Sequence, residues 1–105
     1  MESPIHPKTV YEKLCQLDPQ SPLSHFTLGR ALYLEGNFQA ALAAFGNCLE
    51  VDANYLLAYL LCGQTYEKCG QPAMAQQIYL QGRERARVLG DAHFEQQFAA
   101  LGVTL

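Results

Sequence analysis

Two glycines, Gly29 and Gly63, sit in matching surroundings. Around the first the chain reads His25-x-x-Leu28-Gly29-x-x-Leu32, then Ala41-x-x-x-Phe45. Around the second it reads Tyr59-x-x-Cys62-Gly63-x-x-Tyr66, then Ala75-x-x-x-Tyr79. Each copy has its own second glycine at the same offset, Gly36 and Gly70. Self-similarity at a fixed period, here about 34 residues, marks a stack of like supersecondary units. One such unit cannot bury its apolar face alone, so neighbouring units must pack on one another.

The breaks in the sequence say what each unit is made of. Pro7 suits the first turn of a helix, where its missing N–H is harmless. Val10, Leu14 and Leu17 then recur at helical spacing over residues 8–17. Asp18-Pro19-Gln20-Ser21-Pro22 ends that helix, because proline cannot continue it and restricts the residue before it. Residues 23–34 and 38–51 read as two helices separated by Glu35-Gly36-Asn37, with Gly36 suited to a left-handed C-terminal position. Residues 55–69 and 72–88 repeat the arrangement after the break Asp52-Ala53-Asn54, with Gly70-Gln71 between them. Leu89-Gly90-Asp91 is the last break, and Asp91 is a good N-cap. Residues 93–101 then place Phe94, Phe98 and Leu101 on one side of a final helix. No segment alternates with period two, so no sheet is expected. Connections this short make neighbouring helices antiparallel. The expected fold is all-α: about six helices in antiparallel helix–turn–helix pairs, stacked as a solenoid.

Bulk properties exclude several functions. A chain of 105 residues is one small domain, and a net charge of −3 with interleaved signs does not suit phosphate neutralisation, so no nucleic acid is expected as partner. The one basic cluster, Arg83, Arg85 and Arg87, alternates with Glu84 and reads as a solvated helix face. No run is long and apolar enough to span a membrane. The N-terminal residues 1–7 lack the basic and apolar regions of a signal peptide, so a cytoplasmic location is expected. Cys15, Cys48, Cys62 and Cys69 match no ligand or redox spacing. They are expected as free thiols, Cys48 and Cys62 inside and the other two nearer the surface, with no metal and no cofactor. His6, His25 and His93 lie on different elements without a nucleophile at a pairing distance, so no enzyme is expected and His25 reads as a half-buried packing histidine.

The repeated pattern closely resembles the tetratricopeptide repeat, whose unit carries W-x-x-L-G-x-x-Y, then A-x-x-x-F, then a closing proline. The resemblance divides the single domain, residues 1–105, into a half-repeat helix at 7–19, repeats at 22–55 and 56–89, and a capping helix at 91–102. Tyr11 lies one period before Phe45, and Pro19 one period before Ala53, so the first helix keeps the register. In the last helix Gln97 stands where the glycine would be. The tryptophan position holds His25 and Tyr59, Pro72 stands where the first repeat has Phe38, and Arg87 stands at the second closing position. The resemblance implies that Gly29 and Gly63 mark close helix contacts faced by Ala41 and Ala75, with Phe45 and Tyr79 between successive pairs.

It also implies a protein-binding role. In this family the first helix of each pair lines the concave surface, which maps here onto a groove of Phe26, Arg30, Tyr33, Leu57, Leu60, Leu61, Gln64, Glu67 and Lys68. The segment 55–62 is apolar around its whole circumference, so its outward leucines need a cover: a partner segment, a second copy of the chain, or the N-terminal tail around Ile5. Some members grip a C-terminal carboxylate with lysine and asparagine, but those positions hold Phe26, Arg30 and Leu61, and the clamp is not met. The expected function is capture of an apolar or amphipathic peptide segment in that groove. The alternatives are a homodimer through the same surface and a small secretion-type chaperone.

Overall fold

Prolines, caps and left-handed glycines set the helix ends. The computed structural model describes residues 7–102, so the expectations placed on Ile5 and His6 lie outside it. Among the described residues six α-helices and no strand are found: α1 (Pro7–Leu17), α2 (Pro22–Leu34), α3 (Phe38–Val51), α4 (Leu56–Lys68), α5 (Pro72–Leu89) and α6 (Ala92–Gly102). At the start of α2 the Ser21 hydroxyl accepts the Ser24 N–H at 3.2 Å, and Pro22 takes the first helical turn. At the start of α6 an Asp91 carboxylate oxygen accepts the Phe94 N–H at 3.0 Å. Gly36, Gly70 and Gly90 end α2, α4 and α5 with φ of 82°, 72° and 75°, a conformation that disfavours any side chain.

Each helix packs on the next, and α2 also touches α4. The stack is elongated, 51 × 28 × 18 Å. Its core runs as two clusters. The first gathers Phe26, Phe45, Cys48, Ala58 and Cys62 from α2, α3 and α4. The second gathers Tyr59, Tyr79, Ala86 and Phe98 from α4, α5 and α6. Leu49, Tyr66 and Ile78 pack against both and join them.

The glycines explain how the helices come so close. A Cβ added at Gly29 would lie 2.6 Å from Cε1 of Phe45, and one at Gly63 would strike the Tyr79 ring. The contact at each glycine is therefore an aromatic ring. Ala41 and Ala75 are fully buried, but the rings are what a side chain would hit. The register alone places Phe45 and Tyr79 between successive pairs; in the structure each ring also lies over the glycine of its own hairpin. A third such contact escapes the comparison of the two copies. A Cβ at Gly82 of α5 would come within 2.8 Å of the Phe98 ring of α6. The separation of glycine and ring along the chain matches the other two, but here the glycine lies in the preceding hairpin and the ring on the terminal helix. A further tie comes from Gln76 Nε2, which donates to the Gly102 carbonyl at 3.0 Å.

Candidate functional site

The tryptophan position anchors the start of each hairpin. His25 is buried, and its Nε2 pairs with the Pro19 carbonyl at 2.8 Å. Tyr59, its counterpart in the second copy, donates its hydroxyl to the Ala53 carbonyl, also at 2.8 Å. Two different side chains thus reach the same place, the carbonyl six positions back, in both copies. Each fixes the loop before its helix and so the direction in which the outer face of that helix points.

The nine expected groove residues divide into three groups. Phe26 belongs to the core: its ring lies 5.9 Å from that of Phe45 and 5.1 Å from that of Tyr55. It supports the face from below and is not open to a partner. Leu60, Leu61 and Gln64 are half-buried. Leu60 packs on the cluster that holds Phe98, and Leu61 on the cluster that holds Phe45, so the core and the flanking helices supply much of the cover these leucines need. Arg30, Leu57, Glu67 and Lys68 are exposed, and Tyr33 is half-buried with its ring edge-on to Phe38 at 5.7 Å.

These groups are spread over separate hollows. Arg30 stands in a cavity of about 360 Å³ between α1 and α2, with Lys8, Tyr11, Thr27, Ala31, Leu34 and Glu35. Tyr33 and Lys68 share a depression of about 380 Å³ that also includes Phe38. Leu57, 45% exposed, borders one of about 300 Å³ with Tyr55 and Phe94. Two exposed leucines, Leu23 and Leu34, extend this side along α2.

Glu67 has a structural task. The buried Tyr79 donates its hydroxyl to a Glu67 carboxylate oxygen at 2.5 Å. Burial first, then that hydrogen bond and the carboxylate's charge, push the Tyr79 phenol well above its ordinary pKa. A carboxylate so engaged braces α5 against α4.

The cysteines sort as their spacing suggests: Cys48 and Cys62 are buried, Cys15 and Cys69 half-buried, and all four are free thiols. Burial, with Asp52 adding charge repulsion, pushes Cys48 up to about 12, and burial alone pushes Cys62 up to about 11. Buried thiols held neutral are poor nucleophiles and poor ligands. Among the described residues no group of three or more His, Cys, Asp or Glu could hold a metal ion, and no helix is long and apolar enough to cross a membrane.

The sequence reading missed Lys8 and Tyr11 as neighbours of Arg30 in the cavity on α1. The signal for Tyr11 was its offset of one period from Phe45, which marks it as a helix-packing residue.

Antiparallel helical hairpins stacked through paired glycine–aromatic contacts define a helical-repeat protein of the interaction-module class. The tetratricopeptide repeat family model matches residues 32–93, more than half of the chain, and the chain belongs to that family. A tetratricopeptide repeat domain protein from Salinibacter ruber is 28% identical, with a TM-score of 0.76, over 83% of this chain and 88% of that one. A protein from Bordetella parapertussis is 24% identical, with a TM-score of 0.80, over 96% of this chain and 88% of that one. The TPR2B domain of yeast Sti1, solved in a pHsp70 complex, is 17% identical, with a TM-score of 0.83, over 91% of this chain and 77% of that one. The last two show a common fold. No match was found among curated protein sequences.

Proposed function

We propose that this chain binds an apolar or amphipathic segment of another protein along the face formed by α2 and α4. The observation that carries the reading is the row of exposed leucines on that face, Leu23, Leu34 and Leu57. They stand beside Arg30, Gln64 and Lys68, which can pair with the backbone and charges of an incoming chain. Large apolar side chains left in water at the first helix of each pair are a contact surface in waiting. A domain of the same fold, that of yeast Sti1, was solved as a pHsp70 complex, which supports a binding role for this fold. The carboxylate-gripping residues are absent at Phe26, Arg30 and Leu61, which favours an internal segment over a free C-terminus. The division into two repeats, 22–55 and 56–89, follows the same reading, with Leu23 and Leu57 at equivalent positions.

The test is selection from a displayed peptide library, with Leu57→Asp as the discriminating variant. Peptides enriched by the parent should share spaced apolar residues and lose roughly tenfold or more in affinity for Leu57→Asp. Enriched peptides that bind Leu57→Asp and Leu34→Asp as well as the parent would sink the proposal. Light scattering separates the homodimer, since a parent dimer that Leu57→Asp turns into a monomer assigns the same face to self-association.

A further inference from the structure

The hollow of about 300 Å³ at the N-terminal end of α4 joins an acid to aromatic and aliphatic walls. Asp52 and Asn54 come from the turn after α3, Tyr55 and Leu57 from the start of α4, and Phe94 from the first turn of α6. The Asp52 carboxylate is fixed, because one of its oxygens accepts the Asn54 N–H at 2.9 Å. A carboxylate has acceptor sites to spare after one such bond. No lysine or arginine lines the hollow, and among the described residues Asp52 makes no ion pair. Lys68, the cation of α4, lies at the far end of that helix, about 17 Å from Leu57 along the axis.

The rings are held from behind. Tyr55 lies 5.1 Å from Phe26, and Phe94 lies 5.8 Å from Phe98, centroid to centroid. Both rings are half-buried, and Leu57 is exposed beside them. Burial, then the Cys48 thiol and the Asp52 charge, raise the pKa of the Tyr55 phenol, so that group adds no charge of its own. The same places one period earlier hold Asp18, Gln20, Ser21 and Leu23, with Leu60 for Phe94. The acid and the leucine recur, but the aromatic walls belong to the second repeat alone.

Resting on the binding face proposed above, we infer that Asp52, Tyr55, Leu57 and Phe94 form a seat for one lysine or arginine side chain of the bound segment. The match is made part by part. Leu57 takes the aliphatic stem, since long basic side chains lay their methylenes on apolar surface. The ring faces attract the cation, and the Asp52 carboxylate accepts from its head group. An acidic side chain in the same place is repelled, and an apolar one leaves Asp52 without a partner, so the seat discriminates by charge. Because it occurs once, it also sets the register in which the segment lies across the two repeats.

Selection from a random displayed peptide library, run in parallel on the parent, Asp52→Asn and Asp18→Asn, reads the seat directly. Asparagine keeps an acceptor for the Asn54 N–H, so the turn survives the first substitution. Peptides enriched on the parent and on Asp18→Asn should carry a lysine or arginine at a fixed offset from their apolar residues. Those enriched on Asp52→Asn should keep the apolar residues and lose that preference. A synthetic copy of the most enriched peptide, with norleucine in place of its basic residue, should bind the parent roughly tenfold more weakly. The same exchange should change binding to Asp52→Asn by no more than about twofold, which isolates the pair. Leu57-dependent peptides with no fixed basic residue overturn the inference and leave the proposed function standing. A basic preference that survives Asp52→Asn, or that Asp18→Asn abolishes, overturns it in the same way, because the cation then pairs elsewhere. A library that yields no Leu57-dependent peptide overturns both.

Discussion

At the scale of single residues, His25 and Tyr59 show how one structural task survives a change of chemistry. Both reach the carbonyl six positions back, one through a ring nitrogen and one through a hydroxyl. Tyr59→Phe removes only the hydroxyl and should lower stability by about 1 kcal/mol in urea denaturation. His25→Ala removes the bond and buried ring volume together and should cost about 1–3 kcal/mol. A Tyr59→Phe variant that unfolds at the parent's midpoint would show that the bond carries nothing. The cysteines give a second residue-scale prediction. In native protein at pH 8, a thiol reagent should label Cys15 and Cys69 well before Cys48 and Cys62, and all four should react after unfolding. The buried pair ionise only far above the ordinary value of 9.0, so the unfolded chain releases their protons first. Their contribution to stability is therefore full below pH 9 and is lost as pH rises from there toward 11 and 12. Urea midpoints measured from pH 7 to 10.5 should fall more steeply for the parent than for Cys48→Ala above pH 9.

Among the helices, the glycine–ring contacts decide which may neighbour which. Gly29→Leu and Gly63→Leu should each destabilise the fold by several kcal/mol, about the cost of an overpacked core or more, because Phe45 and Tyr79 are buried and cannot swing aside. Gly82→Leu makes the same test at the last contact, where the ring belongs to α6. It should loosen α6 selectively, and hydrogen exchange should show residues 92–102 losing protection before α2 and α3 do. Uniform loss along the whole chain would mean that α6 is not a separable cap. Phe98→Ala should act in the same direction, at about 3–5 kcal/mol for a fully buried ring.

The whole molecule is a short, elongated stack of helices. The face of α2 and α4 offers Leu23, Leu34 and Leu57. Leu57→Asp and Leu60→Asp should therefore part company. The first lies 45% exposed and should melt close to the parent, within about 0.5 kcal/mol. The second is half-buried against the Phe98 cluster and should lose about 2 kcal/mol or more, through an unpaired buried charge. Thermal melts of the two variants side by side read this directly. Equal and large losses would make Leu57 core as well and remove the surface on which the proposed function rests.

Much of this was legible in the chain itself. The two copies around Gly29 and Gly63, the proline and glycine breaks, and the absence of period-two alternation determine six helices, their order and their pairing. They do so because helix period, caps and left-handed glycines are local properties that need no partner. Burial is not local. The sequence placed Phe26, Leu60 and Leu61 on one open groove with Leu57, but Phe26 faces inward onto Phe45 and Tyr55, and the two other leucines are half-covered. Glu67 likewise reads as a partner contact until Tyr79, on the next helix, is seen to donate to it. The Gly82–Phe98 contact breaks the repeat's own register, and no comparison at the repeat period could find it. Tertiary structure alone decided these points, because the side of a helix that is covered depends on what is stacked against it.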